Sequence, residues 1–116
     1  MYLTPYLNME QVTSGTLAYA MACGRPLVST PYLHAQFLLG EDRGLLVPSR
    51  DPDGIADACL QILDNPDLKA RMERTNWRYG QTMIWPRIGQ EYLHLFQRMA
   101  QVPATPAVYT QARVVY

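Results

Sequence analysis

Apolar residues fall along this chain in two rhythms. Short apolar runs lie at residues 2–5, 26–30 and 44–47, with Pro5, Pro31 and Pro48 at their ends, and they predict three short strands. Between the runs the spacing changes. Residues 16–23 are rich in Ala, Leu and Met and stop at Gly24, a residue free to take the left-handed conformation common just past a helix end. Residues 34–39, stopping at Gly40, predict a second, shorter helix. Strands alternating with helices in this way are the pattern of a parallel α/β sheet.

Beyond residue 51 only helical spacing remains. Ile55, Ala56, Cys59, Leu60, Ile62 and Leu63 mark a helix over 53–63, and two more follow over 66–82 and 86–100. Asp51 or Asp53 suits the cap of the first, Asn65 ahead of Pro66 that of the second, and Pro86 fits the start of the third. Residues 101–116 hold two prolines and no sustained period, and read as a tail or linker. Residues 1–100 are then one partial Rossmann-like α/β domain, with about three parallel strands followed by C-terminal helices. A parallel sheet this narrow bares an edge on a strand that normally lies inside. The pattern therefore reads as unfinished at its start, and self-association through the edge at residues 2–5 is expected.

Composition narrows the possible partners. A chain of 116 residues is about one domain. Its ten basic residues balance ten acidic ones, so it lacks the charge footprint that draws a protein to nucleic acid or an anionic membrane. Cys23 and Cys59 lie in apolar, helix-patterned stretches with no cysteine or histidine at metal-ligand spacing, and both read as reduced core thiols. No signal-peptide pattern opens the chain, and no apolar run reaches the roughly 18 residues of a membrane span. The expectation is a cytoplasmic protein without a transmembrane segment.

The densest chemical signal runs from Thr4 to Thr30. After the first strand, a polar loop ending in Thr13-Ser14-Gly15-Thr16 opens a helix, and backbone N–H groups at such a start suit an anion like a diphosphate. Taken alone, Ser-Gly-Thr before a helix is more often only a cap and turn. Tyr32 and His34 follow the second strand at its C-terminal end, where open α/β sheets collect ligands. A single histidine there is more often a surface residue, and Arg25 at the helix exit more often faces water. Lys69, Arg71, Arg74 and Arg78 read as a solvated face. Trp77, Tyr79, Trp85, Tyr92 and Phe96 read as helix-packing aromatics, since no basic stripe accompanies them.

Three separated blocks carry a resemblance. Ala20-Met21-Ala22-Cys23-Gly24-Arg25-Pro26-Leu27-Val28 resembles the donor-site segment of retaining GT-B glycosyltransferases of group 1, the family 4 type, in which a helix ends in Ala-x-Gly-x-Pro-Val-Val. Gly44-Leu45-Leu46-Val47-Pro48 with Asp51 to Ala56 is similar to that family's next strand, loop and helix. Trp85-Pro86-Arg87-Ile88, with Tyr92, Leu93 and Phe96, resembles its last helix. The likeness covers residues 2–99. It implies the C-terminal, nucleotide-sugar-binding part of a sugar transferase, whose acceptor contacts come from an upstream N-terminal domain.

In that family a Glu-x7-Glu pair frames the helix, the first glutamate on the donor sugar and the second on the ribose. Here Gln11 and Tyr19 stand at those positions with the spacing kept. Both can hydrogen-bond hydroxyls without charge, but the charge-assisted bond of a carboxylate is lost. A subgroup of the family resembles this chain more closely, with Pro-Tyr-Leu-Asn ahead of Gln-x-Thr-Ser-Gly-Thr-Leu-Ala-Tyr-Ala and Ser-Thr-Pro-Tyr after it. The resemblance implies donor-site residues Gln11, Thr13, Ser14, Gly15, Thr16 and Tyr19, with Tyr32 and His34 as further candidates, no metal and no other cofactor. No residue is assigned as catalytic, and the chain alone is expected to transfer no sugar. The alternative is a non-catalytic α/β module that binds a nucleotide or a partner chain. A receiver-like domain explains the alternation but lacks the acidic cluster and lysine it would need.

Overall fold

The computed structural model describes residues 1–40 and 42–101. Three strands, β1 (Tyr2–Thr4), β2 (Leu27–Ser29) and β3 (Gly44–Leu46), form one parallel sheet in the order β1-β2-β3. Tyr2 pairs with Leu27, and Leu27 with Gly44, so every strand runs the same way. The helices are α1 (Gly15–Ala22), α2 (Leu33–Leu38), α3 (Pro52–Leu63), α4 (Pro66–Gly80) and α5 (Trp85–Gln101). All eight expected elements form, with ends within two residues of those read from the pattern. The tail expected over 101–116 lies outside the described residues, save Gln101, which closes α5.

Two apolar clusters flank the sheet. Leu17, Met21, Leu27, Tyr32, Ala35 and Leu38 build the first, and Val28, Val47, Ala58, Ile62 and Met72 the second. Neighbouring residues of β2 thus serve opposite faces, as alternation along a strand requires. Each fully buried Leu, Ile or Met contributes about 1.5–3 kcal/mol relative to exposure.

Helix α1 is cut short by Gly24, whose φ of 65° lies in the left-handed region and whose N–H donates to the Met21 carbonyl at 2.8 Å. A Cβ on Gly24 would stand 3.1 Å from the Glu73 carbonyl oxygen. One on Gly80 would stand 2.4 Å from the Ala22 Cα. These two glycines let α4 lie directly on α1. Asn76, fully buried on α4, then donates through Nδ2 to the Arg25 and Arg43 carbonyls, both at 2.8 Å. Asp51 caps α3 through the Gly54 N–H at 2.9 Å, and Asn65 caps α4 through the Leu68 N–H at 2.9 Å.

Two expectations are corrected. Cys23 is exposed and Cys59 only partly buried, so neither is a fully buried core thiol; both are free. Cys23 lies beyond the last residue of α1, where the chain turns outward. Of the five aromatics expected to pack helices, Tyr79 packs against the core, whereas Trp77, Trp85, Tyr92 and Phe96 are exposed. No residue of α5 is buried. Its apolar period is real, but no described element covers it.

Candidate functional site

The C-terminal ends of β1 and β2 lie side by side, and buried hydroxyls tie them together. Thr4 Oγ1 donates to Ser29 Oγ at 2.8 Å, and Thr30 Oγ1 donates to the Tyr6 carbonyl at 2.6 Å. Tyr32 completes the tie from beneath, its hydroxyl donating to Thr4 Oγ1 at 3.4 Å and its ring 5.0 Å from that of Tyr6. Tyr32 is fully buried, so it stands under the site and offers no surface of its own to a ligand. This fixes the direction in which the chain leaves β1.

From there the chain crosses to α1 by a loop that is fastened to the start of α2. The Leu33 N–H donates to the Met9 carbonyl at 3.2 Å, and the His34 N–H to the Gln11 carbonyl at 3.4 Å. The third fastening reverses the direction: the Ser14 N–H donates to His34 Nδ1 at 2.8 Å. Gln11 lies partly exposed on this loop, its Nε2 donating to the Thr13 carbonyl at 3.1 Å.

Ser14 is the cap of α1, its Oγ accepting from the Leu17 N–H at 3.3 Å. The N–H groups of Gly15 and Thr16 make no hydrogen bond among the described residues, and both residues are exposed. They are the orphan donors of a helix start, next to its positive dipole end. Thr16 Oγ1 lies 3.3 Å from both Ser14 Oγ and the Tyr6 hydroxyl. Hydrogen bonding to Thr16 and then Ser14 holds the Tyr6 phenol below its ordinary range. Partial burial of the imidazole holds His34 below the ordinary histidine range.

Tyr19 sits one turn further along α1 and is 68% exposed. Its ring edge lies 4.0 Å from where a Cβ on Gly15 would stand. With Thr13, Gly15, Met83, Trp85 and Pro86 it lines an apolar cavity of about 580 Å³ between α1 and the approach to α5. The structure therefore gathers Thr13, Ser14, Gly15, Thr16 and Tyr19 at one helix start, with His34 behind the loop. Arg25 is exposed past the far end of α1. Among the described residues, no group of three His, Cys, Asp or Glu side chains is placed to hold a metal ion.

Tyr6 and the buried Thr4–Ser29–Thr30 set were not singled out from the sequence. Their signal was a run of hydroxyl residues at two strand ends, whose partners sit 24 to 28 positions away.

The family description "Glycosyl transferases group 1" matches residues 1–65, which takes in both N-terminal strands, the loop, α1, α2, β3 and α3. An uncharacterized glycosyltransferase of Methanocaldococcus jannaschii is 26% identical over 88 residues, covering 74% of this chain and 22% of that protein. A D-inositol 3-phosphate glycosyltransferase of Corynebacterium urealyticum is 28% identical over 85 residues, covering 72% of this chain and 20% of that protein. The chain thus spans about a fifth of the length of the curated relatives it matches. No solved structure matches it significantly.

Proposed function

Because this chain belongs to the glycosyl transferases of group 1, we propose that it is the donor-binding portion of an enzyme that moves a sugar from a nucleoside diphosphate to an acceptor. The observation that carries this reading is the pair of N–H groups of Gly15 and Thr16 at the start of α1, unpaired among the described residues. They stand on the side of a parallel sheet where its strands end, the side on which such folds bind ligands. In this reading the two groups receive the diphosphate, with the Thr16 hydroxyl and Thr13 beside them. Aligned donors of this kind favour the charge that builds on the departing diphosphate. Ser14 contributes the cap rather than its N–H, which is committed to His34. Gln11 takes the sugar hydroxyls and Tyr19 the ribose. The site uses no metal, and the nucleotide sugar is its substrate.

An upstream acceptor-binding domain supplies the other wall of the cleft, so the chain alone does not transfer sugar. Bare β1 and α5 are the surfaces this domain covers; without it they favour self-association. The division of roles is tested by titrating UDP and UDP-sugars into two variants. Tyr19→Ala weakens both ligands, whereas Gln11→Ala weakens only the sugar-bearing one. Equal losses in the two variants for both ligands overturn the division.

A further inference from the structure

We infer that His34 is a positioning residue for the loop that leads into α1, acting through the Nδ1 lone pair on the Ser14 N–H and therefore only as a neutral imidazole. The contact is 2.8 Å long. A nitrogen that accepts cannot carry the ring proton, so the tautomer is fixed with hydrogen on Nε2. An imidazolium has a proton on both nitrogens, and its Nδ1–H would then face the Ser14 N–H with no acceptor between them. The same residue grips the loop a second time, its backbone N–H on the Gln11 carbonyl at 3.4 Å. His34 thereby holds both ends of the segment 11–14, and the Ser14 peptide it fixes is followed directly by the Gly15 and Thr16 N–H pair.

Among the described residues, no neighbouring charge offsets a proton on the ring. The loop carries one carboxylate, Glu10, which is exposed and makes no ion pair among the described residues, and one phenol, Tyr6. Helix α1 brings only Tyr19, and α2 has no other titratable side chain. Burial acts on the imidazole in the same direction as the bond from Ser14, toward the neutral form. The role of the loop in holding a nucleotide rests on the function proposed above; the fastening itself does not.

The test follows the Ser14 amide proton by NMR in the unliganded 116-residue chain between about pH 8 and 5. The parent is compared with His34→Asn, whose Oδ1 can stand in for Nδ1, and His34→Gln, whose acceptor falls elsewhere. In the parent the Ser14 resonance moves upfield as His34 takes its proton, in step with the ring C–H signals. In His34→Asn it stays downfield throughout, and in His34→Gln it is upfield at every pH. UDP, used as the probe, binds His34→Gln about 2- to 10-fold more weakly, the worth of one hydrogen bond, and binds His34→Asn like the parent. A Ser14 resonance that ignores the titration of His34, or equal UDP losses in both variants, overturns the inference. The parent titration decides even if His34→Gln fails to fold, which the Val28 amide would reveal. If no chain binds UDP while Ser14 still follows His34, the fastening stands and the donor-site reading fails.

Discussion

At the scale of single residues, His34 shows how far a sequence can be read. Its place after the second strand is visible in the chain, but its partner, Ser14, lies 20 positions earlier and is reached only once two strands have paired. In the structure its ring touches the loop that leads into α1. Tyr32 differs in another way: its place at a strand end suggests a ligand contact, yet it is fully buried against Thr4 and Tyr6. A pH effect follows from His34. Its folded form is held below the ordinary histidine range by burial, so the unfolded chain takes the proton first. The stabilisation is complete above the unperturbed value of about 6.5 and is lost as pH falls through that value toward the lower folded one. Thermal unfolding between about pH 7 and 5 should therefore lose midpoint more steeply in the parent than in His34→Asn. Parallel profiles would show that His34 is not held neutral by the fold.

At the scale of elements, strand and helix periods, proline ends and polar caps were legible because each is a local property of the backbone. The caps at Asp51 and Asn65 and the stop at Gly24 lie where local chemistry puts them. What covers an element is not local. The apolar stripe of α5 announces a helix with a buried side, but Tyr92, Leu93 and Phe96 remain more than half exposed. Replacing Phe96 by Asp should leave the unfolding free energy within about 0.5 kcal/mol of the parent, as expected for an exposed site, while lowering self-association in sedimentation. A large loss of stability would mean that α5 packs within the chain. Cys23 teaches the same lesson. A helical period continued one residue too far places in the core a thiol that the Gly24 turn sends outward.

At the scale of the whole molecule, the order of elements was readable because parallel α/β folds admit few connections. That the chain matches only a part of longer relatives, about a fifth of their length, was implied by the resemblance of its blocks and not by their periodicity. What the fold supplies is a helix start with two N–H groups unpaired among the described residues, a cap, and a loop held by His34 and Gln11. If this start holds a diphosphate, a side chain added at Gly15 stands in its way. Gly15 does not lie in the left-handed region, and a Cβ there meets only the edge of Tyr19 at 4.0 Å, so a branched side chain crowds the ligand before it strains the fold. The measurement is a calorimetric titration of UDP and GDP into the parent and Gly15→Val, with circular dichroism as the check on folding. The parent should bind, and the variant should bind about tenfold or more weakly, the equivalent of about 1.4 kcal/mol, with unchanged secondary structure. Equal affinity in the two chains, or no heat with either nucleotide in the parent, would contradict it.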